Sequence, residues 1–399
     1  MKEKEIYDQK VLQEDRAANC GRSYQQCSLS VMDTIADPNI FFDDDGICNY
    51  YHEYKIAEAH EVFSGHEGEK RLTYDLAKVK ASGRGKSYDC ILGLSGGVDS
   101  TFLCLMAREW GLNPLIVHFD NGWNSELAQH NIEQTVNALG FDLYTYVVDW
   151  KEFREMQLAY LKASVVDIEV LTDHAFMAVL YQQARKWKIR YVLAGMNVVT
   201  EHVLPRHWIY NKSDAVNIKD IVNRFGRTRV RDLKTYPFLD HKTRKYCEDY
   251  LMMEVLTPLN YIDYRYDEVK EKIKQVLNWR DYGGKHHESL WTRFYQGYIL
   301  PRKFNIDKRK AHLSNLIFSR QLSKEEALSE LKQPFYRDHQ LMKEDYDFVC
   351  KKLGLTESEF QELMDLPRRE HTDYETQKGF FQKYPAFRPL KPILDLIGI

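Results

Sequence analysis

Leu92-Gly93-Leu94-Ser95-Gly96-Gly97-Val98-Asp99-Ser100 is the stretch on which the reading of this chain turns. It ends a short apolar run, Cys90–Leu94, and opens a helical pattern, Thr101–Trp110. Two adjacent glycines let the backbone approach a ligand with no Cβ in the way. The first N–H groups of the following helix point at the same spot, and the helix dipole adds partial positive charge there. Ser95, Ser100 and Thr101 add hydroxyl donors. Ser95, Gly96, Gly97, Val98, Asp99, Ser100 and Thr101 together predict a cradle for phosphate oxygens.

Three other loops compete for these letters. A Walker loop needs Gly-Lys-Ser/Thr after four spacer residues, and no lysine stands here. A Rossmann fingerprint needs G-x-G-x-x-G, and the glycine spacing differs. Gly93-Leu94-Ser95-Gly96-Gly97 does satisfy G-x-S-x-G, the nucleophile elbow of α/β-hydrolases, in the right strand–turn–helix setting. Ser95 would then be a nucleophile, with Asp173 and His286 as candidate partners. The residue inventory leaves that reading open.

Outward from the loop, four apolar runs read as buried parallel strands: Cys90–Leu94, Leu115–Phe119, Leu143–Val148 and Tyr191–Ala194. Helical patterns at Thr101–Trp110, Glu126–Leu139 and His174–Trp187 lie between them. The alternation predicts βαβ units and an α/β fold, a doubly wound parallel sheet. Ligands of such sheets sit at the carboxyl ends of the strands. The candidates are therefore Ser95–Ser100, Asp120–Trp123, Asp149–Trp150 and Gly195–Glu201. Residues 1–65 read as an irregular N-terminal segment with three cysteines, 66–260 as the α/β domain and 261–399 as a helical C-terminal region.

The composition is that of an ordinary globular chain. Of its 399 residues, 44% are apolar and 29% charged, with a net charge of −3. That balance gives no general pull toward nucleic acid or anionic membrane, so any anion site must be local. The N-terminus, MKEKEIYDQKVLQEDR, is charged throughout and does not read as a signal peptide. No run approaches the ~18 apolar residues of a membrane span. Seven cysteines, an odd number in a long chain, fit reduced thiols and a cytoplasmic location.

S-G-G-x-D-S after a first strand resembles the signature of the PP-loop ATP-pyrophosphatases, the adenine nucleotide alpha hydrolase-like fold. In that superfamily the loop holds the phosphates that leave as pyrophosphate while AMP passes to a substrate oxygen. Longer strings narrow the likeness. They include Val31-Met32-Asp33-Thr34 with Asp37-Pro38, Phe42-Asp43, Gly46-Ile47-Cys48-Asn49 and Phe119-Asp120-Asn121-Gly122-Trp123-Asn124-Ser125-Glu126. Further along stand Asp173-His174-Ala175-Phe176, Thr200-Glu201, Tyr282-Gly283-Gly284-Lys285-His286, Glu288-Ser289 and Asp307-Lys308-Arg309-Lys310-Ala311-His312. From about residue 25 to about 335 the chain resembles the N-acetyl sugar amidotransferases, the WbpG-like enzymes of lipopolysaccharide and O-antigen synthesis.

The resemblance implies ATP and Mg²⁺ as cofactors and a nucleotide-linked N-acetyl sugar as substrate. The acetamido oxygen would be adenylated, and ammonia would displace AMP to leave an acetamidino sugar. Ammonia is implied to come from a HisH-like glutaminase, with a HisF-like subunit alongside it. Ser95–Thr101 would bind pyrophosphate, with Asp99 helping to hold Mg²⁺. Asp120 would lie near the adenosine, and Gly195 and Asn197 would flank the α-phosphate. Asp173 and Glu201 are candidates for orienting ammonia or taking its proton, although Asp173 also reads as a helix N-cap. Lys285 and His286 would contact phosphates or the sugar nucleotide; the basic stretch Arg224–Arg231 reads either as a nucleotide diphosphate contact or as an RNA contact, although no stacking aromatics interleave its cations.

The chain departs from this family at its cysteines. Two Cys-x-x-Cys pairs are expected near the N-terminus, but the sequence has Cys27-Ser28-Leu29-Ser30 and Cys48-Asn49-Tyr50-Tyr51. Two thiolates do not close a tetrahedral zinc site, and the spacing of Cys20 and His52 does not require them to complete one. The expectation is a knuckle held by packing, with no metal. Competing functions are a tRNA-modifying PP-loop enzyme using Cys104, a hydrolase using Ser95, and a nucleotide-sensing subunit without activity.

Overall fold

The computed structural model describes residues 22–285 and 287–377. Two helices, α1 (Asn49–Glu61) and α2 (Gly65–Gly83), lead into the sheet. The chain then alternates: β1 (Cys90–Gly93), α3 (Val98–Glu109), β2 (Pro114–Asp120), α4 (Glu126–Leu139), β3 (Asp142–Val147), α5 (Trp150–Ala163), α6 (Val170–Trp187) and β4 (Tyr191–Leu193). After α7 (Val198–Glu201), α8 (Ala215–Phe225) and α9 (His241–Lys245), a fifth strand, β5 (Glu254–Leu256), completes the sheet. The strand order is β3-β2-β1-β4-β5, all parallel, with Leu92 opposite Ile116 and Leu193. This is a doubly wound parallel α/β sheet, as the alternation of strands and helices predicts.

Strand alternation splits the core in two. Cys90, Leu92 and Ile116 bury against α3, α4 and Val79 of α2 on one face. Ile91, Leu115 and Val117 bury on the other, against Phe153, Met156, Leu171 and Val179. The four expected strands fall within a residue or so of their places, but β3 is not buried on both faces. It is an edge strand whose residues are exposed or half-exposed, Val147 being 64% exposed, so the uniform burial expected of it is corrected. β5 was not expected, because three residues beginning with Glu254 carry too little apolar signal.

Beyond β5, α10 (Tyr266–Leu277) packs Val269 and Ile273 into the same core as Cys90 and Leu92. The rest of the described chain is helical: α11 (Leu290–Phe294), a wide π-type stretch Tyr295–Phe304, then α12 (Arg309–Phe318), α13 (Lys324–Lys332), α14 (His339–Leu353) and α15 (Glu357–Asp365). This region is stitched to the loop after β2. Leu290 donates its N–H to Trp123 O at 3.0 Å, and Ser125 donates to Glu288 O at 3.1 Å. Trp123, fully buried, stacks on Trp291 at 5.1 Å between ring centres. Lys352 reaches Gly122 O and sits over the rings of Trp123 and Trp150, at 4.7 and 4.8 Å. Inside the region, Arg293 makes a two-pronged ion pair with the buried Asp345, at 2.8 and 2.7 Å.

The N-terminal knuckle closes without a complete zinc set. Cys27 and Cys48 are free and buried, and Cys48 donates its N–H to Cys27 Sγ at 3.3 Å. Ser30 Oγ lies 3.9 Å from Cys48 Sγ, while Tyr51 packs edge-on against Phe318. His52 turns outward to Asp43 at 2.8 Å, and Cys20 lies outside the described residues. Two thiols and a serine hydroxyl do not fit zinc. Among the described residues no cluster of three His, Cys, Asp or Glu side chains is arranged for a metal. No described helix is long and apolar enough to cross a membrane.

Candidate active site

The sheet order reverses between β1 and β4, and a cleft opens beyond their carboxyl ends, where this topology places ligands. The loop after β1 is held from beneath. Gly96 has φ +87°, a region that a side chain strains. A Cβ there would lie 3.0 Å from Tyr282 Oη and 3.2 Å from Ala128 O. The Gly96 carbonyl accepts from Trp279 Nε1 at 2.8 Å and from Tyr282 Oη at 2.6 Å, which fixes the peptide in one orientation. Ser95 Oγ accepts from Gly97 N–H at 3.2 Å and lies 3.2 Å from Ser100 Oγ. α3 starts at Val98, so its first N–H groups open on this loop. Gly195, after β4, lies against the start of α3: a Cβ on it would be 3.2 Å from Ser100 N.

Lys285 joins two acids beside the loop. Its Nζ is 3.1 Å from Glu201 and 3.7 Å from Asp99, and it donates to Thr200 Oγ1 at 3.3 Å. Burial works against the ammonium, yet Glu201 and Asp99 outweigh it and hold the lysine above its usual pKa. Asp99 also accepts from Tyr264 Oη and, at 3.4 Å, from Asn197 Nδ2. Behind the loop, burial keeps His118 neutral. Its Nδ1 donates to Leu94 O at 2.8 Å, so Nε2 accepts from the Asn124 amide at 2.9 Å. The end of β1 is thereby tied to the loop after β2.

The cleft has about 440 Å³ of free volume, within the range of small-molecule sites. Ser95, Gly97, Val98, Asp99 and Ser100 line one part of it. Asp167, Glu169, Thr172 and Asp173 line another, with Lys212 and Lys308. Lys212 lies 2.6 Å from Asp167 and 2.9 Å from Asp173. Glu169 accepts from Thr292 Oγ1 at 3.0 Å. Burial, reinforced by Asp173, pushes Glu169 from the usual 4.5 up to about 7, against the pull of Lys308 and Lys212.

The cleft gathers most of the expected residues. Glu201, Lys285, Asp173 and Gly195 line it with the loop. Thr101 does not: it is fully buried in α3. Asp120 accepts from Gly122 N–H at 2.8 Å, and its neighbours Phe119 and Asn121 line the cleft instead. Asn197 caps α7 by accepting from Thr200 N–H at 3.0 Å and faces a neighbouring groove. Asp173 is no N-cap, because α6 begins at Val170 and leaves it inside the first turn, so that reading is corrected. Asp149, another strand-end candidate, caps α5 through the N–H groups of Lys151 and Glu152. His286 lies outside the described residues.

Two competing readings find little support. No described histidine contacts Ser95, whose hydroxyl partners are Ser100 and Gly97. Asp173, the acid suggested for a hydrolase triad, pairs with Lys212. Cys104 is fully buried in the core, and desolvation drives its thiol well above the usual pKa, the reverse of an activated nucleophile. Sequence reasoning missed Glu169, Thr172, Lys212, Thr292 and Gln296. Only their shared position in the folded cleft distinguishes them.

The family profile described as "LPS biosynthesis protein WbpG-like, C-terminal domain" matches residues 288–388. The chain carries a WbpG-like C-terminal domain. The match begins at Glu288, and the WbpG-like domain supplies Glu288, Ser289, Thr292, Gln296 and Lys308 to the cleft. No curated protein matches the chain significantly. Among solved structures, NMN synthetase from Francisella tularensis is similar at 14% identity, with 70% of this chain and 96% of that one covered and a TM-score of 0.38. The NH3-dependent NAD synthetase of Campylobacter jejuni is 17% identical, with 54% and 86% covered and a TM-score of 0.29. No chemistry follows from likenesses of that size.

Proposed function

We propose that the protein is an ATP-dependent amidotransferase synthetase acting on a nucleotide-linked N-acetyl sugar for surface polysaccharide synthesis. One observation carries the reading: the phosphate loop and the WbpG-like domain are two walls of one cleft. An amide carbonyl is a poor electrophile with a poor leaving group. Transfer of AMP from ATP to the acetamido oxygen, with loss of pyrophosphate, converts that oxygen into a good leaving group. Ammonia then attacks the carbon, and AMP departs to leave the acetamidine. The protein's part is to position reactants and neutralise phosphate charge, each worth several kcal/mol of barrier.

The residues divide the work accordingly. Ser95, Gly97 and Ser100, with the start of α3, receive the leaving phosphates. Lys285, steadied by Glu201 and Asp99, supplies a fixed positive charge beside them. Asp99 is wrapped by Tyr264, Asn197 and Lys285, which suits a support for the loop better than an open metal ligand. Glu288 has a carboxylate oxygen 3.1 Å from where a Cβ on Gly97 would lie, and it fits the Mg²⁺ that accompanies ATP. That ion would neutralise phosphate charge. Ammonia is proposed to come from a separate HisH-like glutaminase, with a HisF-like subunit alongside.

The test is formation of AMP and pyrophosphate from ATP with ammonium and a panel of acetamido sugar nucleotides. Turnover should require the acetamido group, and Ser95→Ala should abolish it. Full turnover by Ser95→Ala would remove the loop from the mechanism.

A further inference from the structure

Three carboxylates that make no contact with the Ser95–Ser100 loop line the same cleft, and two are committed to a cation. Asp167 and Asp173 share Lys212, at 2.6 and 2.9 Å. Glu169 differs. Its Oε2 accepts one hydrogen bond, from Thr292 Oγ1 at 3.0 Å, and no described cation lies within ion-pair distance. It stands at the N-cap position of α6, but its backbone is helical, φ −80° and ψ −8°, and its side chain does not cap the helix. The carboxyl belongs instead to the cleft wall. The dipole of α6 favours its charged form. Burial and Asp173 oppose that form, Lys308 and Lys212 support it, and the balance lies near neutrality, at about 7. The Tyr295 ring lies buried beneath this cluster.

We propose that Glu169 accepts the proton that ammonia releases as it attacks the activated acetamido carbon. The inference rests on the reaction proposed above. The ammonia lone pair forms the new C–N bond, and one N–H proton passes to the Glu169 carboxylate. The C–O bond then breaks, and its electron pair leaves with AMP. Asp173 and Glu201 are less suited to this role because each is tied in an ion pair, to Lys212 at 2.9 Å and to Lys285 at 3.1 Å. A base with a pKa near the working pH is half ionised when needed and can return its proton afterwards. Thr292 orients Glu169 through the one bond, so the WbpG-like domain positions a base that stands at the N-cap of α6.

The experiment separates the two chemical steps in Glu169→Gln and Glu169→Asp. The first step is read as acetamido-sugar-dependent exchange of label between pyrophosphate and ATP, the second as acetamidine formation at constant free ammonia across pH 5.5–9. Wild type should show acetamidine formation rising through about pH 7. Glu169→Gln should lose that limb and about 10²-fold or more of the rate, with exchange falling far less. Glu169→Asp should restore part of the rate and the limb. Wild-type acetamidine formation with the limb intact in Glu169→Gln would overturn the proposal. Exchange and amidation falling in equal proportion would overturn it too, by assigning Glu169 to structure or acceptor binding. Absence of exchange in the wild type with every acetamido sugar would overturn the underlying function instead, and the role of Glu169 with it.

Discussion

The two ends of the cleft are built in opposite ways. The phosphate end is one contiguous hexapeptide, Ser95–Ser100, set between a central strand and the helix it opens. The other set takes Glu169 from the N-cap of α6, Asp173 from its first turn, Lys212 from the connection before α8, Thr292 from α11 and Lys308 from the start of α12. The first gets its geometry from local backbone rules, a left-handed glycine and a helix N-terminus. The second is completed by the WbpG-like domain, which is stitched onto the loop after β2 and brings Thr292 and Lys308 to the cleft. On the proposed function, the fold separates a local device for holding ATP from a composite surface that would select what ATP activates.

That division can be broken at either end. The largest expected effect on activity is at the loop. Gly96→Val forces a Cβ into a φ of +87° and against Tyr282, and should lower kcat/KM for ATP by about 10²–10³-fold, the scale of losing preorganised donors. A change within twofold would mean the loop is not the phosphate site. Next, read as stability rather than rate, is the interior of the WbpG-like domain. Arg293→Met leaves the buried Asp345 without its cation, with only the Tyr336 hydroxyl donating to it, and should cost about 3–5 kcal/mol in urea unfolding. An unchanged midpoint would show that the pair does not hold this region together.

Smaller effects sharpen the contrast. Lys285→Met removes the cation between Asp99 and Glu201 and should cost about 1.5–3 kcal/mol of transition-state stabilisation, seen in kcat more than in KM for the acceptor. Equal loss in adenylation and amidation would place the lysine at the phosphate end; loss in amidation alone would move it to the other. The last concerns the pH dependence of stability rather than a rate. Glu169 is raised from 4.5 to about 7, so the folded state binds the proton more tightly than the unfolded chain. The resulting stabilisation is complete below about pH 4.5 and is lost as pH rises through 7. Glu169→Gln should flatten this part of the stability profile; an identical slope in the variant would contradict the shift.

The same division governs what could be read from sequence. Strand positions were legible because apolar runs mark them, and the loop because its glycines and serines act locally. β5 escaped because Glu254–Leu256 is short and begins with an acid, and β3 was misjudged because an edge strand with Leu143 and Val147 exposed looks like a buried one. Asp173 was misplaced because α6 starts a turn earlier than its polar boundary suggests. Glu169 and Thr292 carried no signal, since only folding brings these distant residues within 3.0 Å of each other. The cysteine pairs were legible as a departure: where Ser30 and Tyr51 replace two thiols, the knuckle closes on hydrogen bonds and ring packing.

The central claim is that ATP held at Ser95–Ser100 activates an acetamido oxygen delivered to the other end of the same cleft. Mass spectrometry of candidate N-acetyl sugar nucleotides after incubation with ATP, Mg²⁺ and ammonium tests it most directly. The account predicts a sugar nucleotide lighter by about one mass unit, oxygen replaced by NH, with one AMP formed per product. AMP formation with every sugar nucleotide unchanged in mass, or no AMP at all, would contradict it.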